Sequence, residues 1–188
     1  MSPELEHKLI KRFPMIFADV RSTMDRTCMV WRMACGDGWY DLLYLACLGI
    51  EEEYYKTYPW YVILYHRFAY HVFPKWNKLI SKQPRFVNKI LKYKTWTGKE
   101  IERRVYRGFL PIPHWMKASQ VKEKFGSLRF YLTSGTDNMF KYTDMAEELS
   151  QTTCETCGKP GKLITKGWFY TACEEHTKEQ DKEINGEK

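Results

Sequence analysis

The stretch CETCGKPGKLITKGWFYTACEEH, residues 154–176, constrains this chain more than any other part of it. Cys154 and Cys157 have two residues between them, and after a gap of fifteen residues Cys173 and His176 repeat that spacing. Two such pairs form the ligand pattern of a four-coordinate zinc site. A lone CxxC could serve as a redox pair, but redox chemistry does not require a second pair at metal-ligand distance. Three thiolates and one imidazole fill a tetrahedral ion, so a single zinc held here is structural and keeps no open position for water. Gly158 permits the tight turn of a zinc knuckle. KLIT and WFYT read as strands joined by Lys166-Gly167 as a two-residue turn, and CEEHTKEQDKEI reads as a helix that carries the last two ligands. Knuckle, hairpin and helix in that order predict a treble-clef-like finger.

Two kinds of zinc enzyme fail on their residues. A zinc deaminase needs an HxE element, and none of His7, His66, His71, His114 or His176 begins one. A nuclease built on such a finger places a histidine on the hairpin, and residues 158–172 contain none. No uninterrupted apolar run reaches the ~18 residues of a membrane span, and MSPELEHKLIKRF lacks the apolar block of a signal peptide. These features predict a cytoplasmic protein with reduced thiols and no membrane partner, in which Cys28, Cys35 and Cys47 are buried as small apolar residues.

At 188 residues the chain has room for one core of ordinary size plus a small module. The predicted class is α+β: a mainly helical domain over 1–150 with a small β-hairpin, then the finger over 151–188, ending in a charged tail that frays. ELEHKLIKRF reads as a helix that stops before Pro14, with Leu5, Leu9 and Ile10 on one face. TCMVWRMAC reads as a strand, and Asp37 between Gly36 and Gly38 as the N-cap of a helix that buries Trp39, Leu42, Leu43, Ala46, Cys47 and Ile50. SQVKEKFGSLRFYLTSG reads as a hairpin turning at Phe125-Gly126-Ser127, with Val121, Leu128, Phe130 and Leu132 inward. A further helix is predicted to bury Met139, Tyr142, Met145, Ala146 and Leu149 and to lead directly into Cys154.

Residues 54–107 read as an aromatic and basic helical insertion. Ten of residues 54–76 are aromatic, which fits either a core helix or a contact surface, and Pro59 and Pro74 bracket a helix there. Residues 75–107 carry eleven Lys or Arg against two Glu, a local +9 in a chain of net +7, so the remainder is net −2. They read as two helices parted at Gln83-Pro84. Lys75, Lys78, Lys82, Arg85, Lys89, Lys92, Lys94, Arg103, Arg104 and Arg107, interleaved with rings, are candidates for contact with nucleic acid or an acidic protein partner. The plainer reading is a solvated face whose long basic side chains cover apolar neighbours.

Three blocks in this order, CGDGWYDLL at 35–43, VKEKFGSLRFY at 121–131 and the CETCG to CEEH finger, resemble a family of small uncharacterised proteins of tailed phages and prophages. The likeness covers about residues 9–50 and 117–176 and leaves out the aromatic and basic insertion. It implies a phage origin, a bacterial cytoplasm, and zinc on Cys154, Cys157, Cys173 and His176, and it attaches no catalytic residue.

An enzyme would need something besides the metal. Asp37 and Asp41, with Glu51, Glu52 and Glu53, could hold Mg²⁺, but a cap and an exposed helix acid explain them as well. Cys35 at a helix start could be a nucleophile, against the plainer reading of an inert buried thiol. No P-loop, GxSxG or dinucleotide fingerprint is present. The chain is therefore expected not to be an enzyme but a zinc-stabilised phage protein that binds a host or phage protein and acts on host transcription or antiviral defence. A nucleic-acid-binding module built on 75–107 is the alternative, and a virion or assembly component the third.

Overall fold

The computed structural model describes residues 1–21, 27–81, 87–94, 100–106, 116–165 and 167–177. The fold is α+β, with four α-helices and three small sheets among the described residues. Two compact units divide the chain: residues 1–59 with 114–188, and residues 60–113. The four candidate metal ligands therefore fall in the same unit as the first helix.

In the larger unit, α1 (Pro3–Arg12) starts with Pro at its first turn, carries Glu4 and Glu6 near its N-terminus and Lys11 and Arg12 near its end, and so complements its own dipole. Leu9 is fully buried, as the spacing predicts. Glu6 is buried too. Its carboxylate accepts from Arg32 Nη1 at 2.9 Å and from the Met33 amide at 3.3 Å, fixing a turn in which Arg32 takes a left-handed φ of 61°. The predicted strand over TCMVWRMAC is instead a 3-10 turn, Cys28–Trp31, capped by the Thr27 hydroxyl, followed by the two-residue strand β1 (Met33–Ala34). Cys28 is exposed, contrary to expectation, while Cys35 and Cys47 are buried.

Asp37 does not cap a helix through its side chain. It opens a 3-10 turn, Asp37–Trp39, and its carboxylate accepts from the Ser2 amide, which holds it below the usual carboxylate range. The following helix α2 (Tyr40–Thr57) buries Leu43, Ala46, Cys47, Gly49, Ile50 and Tyr54. Gly49 admits a side chain of α4 (Asp137–Ser150): a Cβ there would lie 2.4 Å from the Tyr142 ring. Thr136 caps α4, and its buried stripe is Met139, Thr143, Ala146 and Ser150, with Met145 and Leu149 turned outward instead of inward.

Strands β4 (Ala118–Lys124) and β5 (Ser127–Leu132) form the predicted hairpin, and β1 pairs parallel to β4. Phe125 and Gly126 both take positive φ, 54° and 75°, as a two-residue type I′ turn requires. Val121, Leu128 and Phe130 point inward, with Phe130 stacked on Phe17 at 6.4 Å; Leu132 is only half-buried.

In the smaller unit, α3 (Trp60–Ser81) runs through Pro74 and does not end there. The expected second basic helix is absent from the described residues after it. Residues 87–106 instead contain the antiparallel pair β2 (Val87–Lys94) and β3 (Glu100–Tyr106), consistent with the β-branched and aromatic positions interleaved with lysine. No helix among the described residues is long and apolar enough to cross a membrane.

Candidate metal centre

The centre is assembled from the end of α4 onward. The chain leaves Ser150, turns through Cys154–Gly158, and forms β6 (Lys162–Ile164) and β7 (Tyr170–Ala172), an antiparallel pair. The connection is five residues long, 165–169, and not the two-residue turn expected; Gly167 supplies a φ of 76° within it. After β7 comes Cys173 and a single 3-10 turn, Glu174–His176, where the Cys173 carbonyl accepts from the amides of His176 and Thr177. The helix expected from Cys173 onward is not formed over 173–177, where the 3-10 turn ends at an extended Thr177 (φ −69°, ψ 130°); the rest of that expected helix lies outside the described residues.

All four predicted ligands meet. The Sγ atoms of Cys154, Cys157 and Cys173 and the ring nitrogen of His176 lie within 4.8 Å of one another. Cys157 Sγ and Cys173 Sγ are 3.7 Å apart, and His176 Nδ1 is 3.6 Å from Cys154 Sγ and 3.2 Å from Cys173 Sγ. Metal–sulfur bonds of ~2.3 Å and a metal–nitrogen bond of ~2.0 Å set tetrahedral edges of about 3.8 Å between sulfurs and about 3.5 Å from sulfur to nitrogen. Two of these separations match such edges and the Cys173–His176 one is slightly shorter, and Nδ1 is the nitrogen presented. These residues could hold a metal ion. This is the one group of three or more potential ligands among the described residues.

The knuckle prepares the first sulfur. Burial pushes the Cys154 thiol up, but amides of Cys173, Cys157 and Thr156 directed at it prevail and bring it down to about 6. At Cys157 the Lys159 amide draws the thiol down, yet desolvation and the neighbouring sulfurs outweigh it and leave it raised. Adjacent thiolates repel, and a divalent cation between them would offset that repulsion.

Sequence reasoning missed what holds the knuckle. It led the helix α4 directly into Cys154, whereas hydrogen bonds to residues 153–171 also come from the two other sequence blocks. The Gly38 amide donates to the Glu155 carbonyl at 2.8 Å, the Gly36 amide to Glu155 Oε1 at 2.8 Å, and Trp39 Nε1 to the Thr153 carbonyl at 2.8 Å. On the other side, Thr171 Oγ1 donates to the Gly126 carbonyl at 2.6 Å, and the Glu155 amide to the Thr171 carbonyl at 3.0 Å. CGDGW therefore holds the CETCG turn directly, and KEKFG reaches it through Thr171 of β7, which links the three blocks in space.

No protein-family model, curated protein or solved structure matches this chain.

The remaining candidates are scattered. Glu51 pairs with Arg12 at 2.8 Å, Glu52 with Lys56 at 2.8 Å, and Glu53 accepts from Asn138 Nδ2 at 3.1 Å, so with Asp37 bound to Ser2 these acids form no cluster with Asp41. Burial pushes the Cys35 thiol to about 12, which suits an inert side chain and not a nucleophile. Of the basic candidates, Lys75 and Lys78 are exposed on α3, Lys89, Lys92 and Lys94 lie on β2, and Arg103 and Arg104 on β3. The register places Lys92 opposite Glu102 and Lys94 opposite Glu100. Lys82, Arg85 and Arg107 fall outside the described residues.

Proposed function

We propose that this chain is a zinc-stabilised interaction protein, with the ion structural and bound by Cys154, Cys157, Cys173 and His176 in a treble-clef-like finger. The carrying observation is the group of four potential donors within 4.8 Å of one another, with Cys157 Sγ and Cys173 Sγ 3.7 Å apart. Zinc suits three thiolates and an imidazole, and such a set saturates it, leaving no position for catalytic water. The phage resemblance favours work in a bacterial cytoplasm on a host or phage protein, redirecting transcription or antiviral defence.

A contact surface for such a partner lies beside the finger. Phe125 at one hairpin tip is 64% exposed, touches the ring of Phe169 at a centroid distance of 6.3 Å, and has Trp168, 78% exposed, next in chain to that ring. Exposed aromatic side chains of this size are the usual anchors of protein interfaces. Phe125 also occupies a left-handed backbone position that costs a bulky residue about 1–2 kcal/mol, and burial returns little of that cost.

Two measurements test the reading. Elemental analysis of the purified protein should find one zinc per chain, lost in Cys173→Ser; a protein free of stoichiometric transition metal overturns the finger. Affinity capture from host lysate should recover a protein that Phe125→Ala with Trp168→Ala fails to retain. Recovery of nucleic acid alone transfers the case to the nucleic-acid reading, which the concentration of positive charge in 75–107 favours.

A further inference from the structure

Residues 54–99 contain ten Lys or Arg and no Asp or Glu. Within that acid-free stretch, α3 presents an apolar side outward: Tyr61, Leu64, Tyr65, Phe68, Val72 and Leu79 are all exposed, Leu64 by 61% and Phe68 by 55%. At 3.6 residues per turn these six positions fall within an arc of about 100° and run along about 27 Å of helix. The side that α3 buries is a different one, carrying His66, Ala69 and Phe73. Arg67 and Lys78, both exposed, follow the other edge of the apolar arc, Lys75, also exposed, falls inside it between Leu64 and Phe68, and Trp60 at the first turn is 74% exposed.

We infer that this side of α3 docks on an anionic lipid surface, lying in the interface plane with Arg67 and Lys78 at headgroup level. No membrane-crossing helix is needed, because an interfacial helix requires only an apolar face, a cationic flank and rings that prefer the boundary between water and acyl chains. Charge selects the occupant. A protein surface presents both signs, and complementing it draws on both; a leaflet of acidic lipids offers uniform negative potential, which a stretch with no acid matches throughout. Nucleic acid is also uniformly negative, but Leu64, Val72 and Leu79 have no ring face to stack on bases and would stay hydrated against phosphate. Acyl chains accommodate aliphatic and aromatic side chains alike.

The test is sedimentation of the full chain with vesicles of phosphatidylcholine alone and with roughly a third of phosphatidylglycerol added. The chain should bind the acidic vesicles, release them as salt rises, and leave the neutral ones unbound. Leu64→Asp with Phe68→Asp should weaken binding by more than about tenfold. If that pair fails to fold by circular dichroism, Arg67→Gln with Lys78→Gln, at exposed positions, serves in its place with an expected loss of about twenty-five-fold, near fivefold per charge. Failure of the wild-type chain to bind acidic vesicles overturns the inference. So does binding that survives the substitutions, and so does binding to a single-stranded oligonucleotide that vesicles cannot displace.

Discussion

Gly38 has no room for a side chain: a Cβ would lie 2.2 Å from the Cys154 carbonyl oxygen and 2.4 Å from the Gly158 nitrogen, both backbone atoms that cannot yield. Gly38→Ala should therefore cost about 3 kcal/mol by chemical denaturation, near the upper end for overpacking, although the residue ligates nothing. Phe125→Asn is expected to behave in the opposite way. Asparagine tolerates the left-handed turn, so relief of backbone strain should offset the lost ring contact and leave stability within about 0.5 kcal/mol of wild type, while capture of the partner is lost. Thiol reactivity offers a third check. In the metal-loaded native protein iodoacetamide should label Cys28, which is exposed, and spare Cys35, whose thiol burial pushes up to about 12, and the fully buried Cys47; mass spectrometry of tryptic peptides reads the outcome.

Elements meet through a few buried polar atoms. Ser150 Oγ accepts from the Leu128 amide at 2.8 Å and donates to the Glu147 carbonyl, joining α4 to β5. Ser150→Ala strands a buried N–H and should cost about 1–3 kcal/mol in denaturant unfolding, and Thr171→Val, which strands the Gly126 carbonyl, a similar amount. These links also explain what could be read in advance. The clustering of Cys154, Cys157, Cys173 and His176 was legible because metal geometry favours that spacing, and the β4–β5 hairpin because alternation and a glycine turn leave a local signature. The outward turn of Met145 and Leu149 was not legible, since which side of α4 is buried depends on Gly49 admitting Tyr142, two residues far apart in sequence. Nor was Glu6 as a buried residue, because its partners Arg32 and Met33 arrive from another element. The β2–β3 strands were misread as helix because lysines set among aliphatic and aromatic residues satisfy either period over a short run.

At the level of the molecule, the segment that carries the candidate metal cluster joins three distant regions of one unit. Chelation of the ion should therefore loosen more than the finger: amide hydrogen exchange at Gly36 and Gly38 should rise together with that at Cys154, while the α2–α4 packing around Gly49 and Tyr142 keeps its protection. Equal loss across the unit would mean that the finger and the helices unfold as one, and no change at the glycines that the grip does not depend on the ion. Charge divides the molecule differently. The unit of residues 60–113 carries twelve Lys or Arg and two Glu, a net +10, so the rest of the chain is net −3. Sensitivity to salt is accordingly expected to arise from the smaller unit, and thermal stability of the larger one to depend more on metal than on ionic strength.

The hydrogen bond from Gly36 to Glu155 spans 119 positions of the chain. A ribosome working from the amino end finishes the glycine loop long before it makes the knuckle that the loop must clasp, so the early core waits, incomplete, for that later segment. Metal supply would then set the moment at which a freshly made molecule closes, and molecules made without the ion would remain open at that seam.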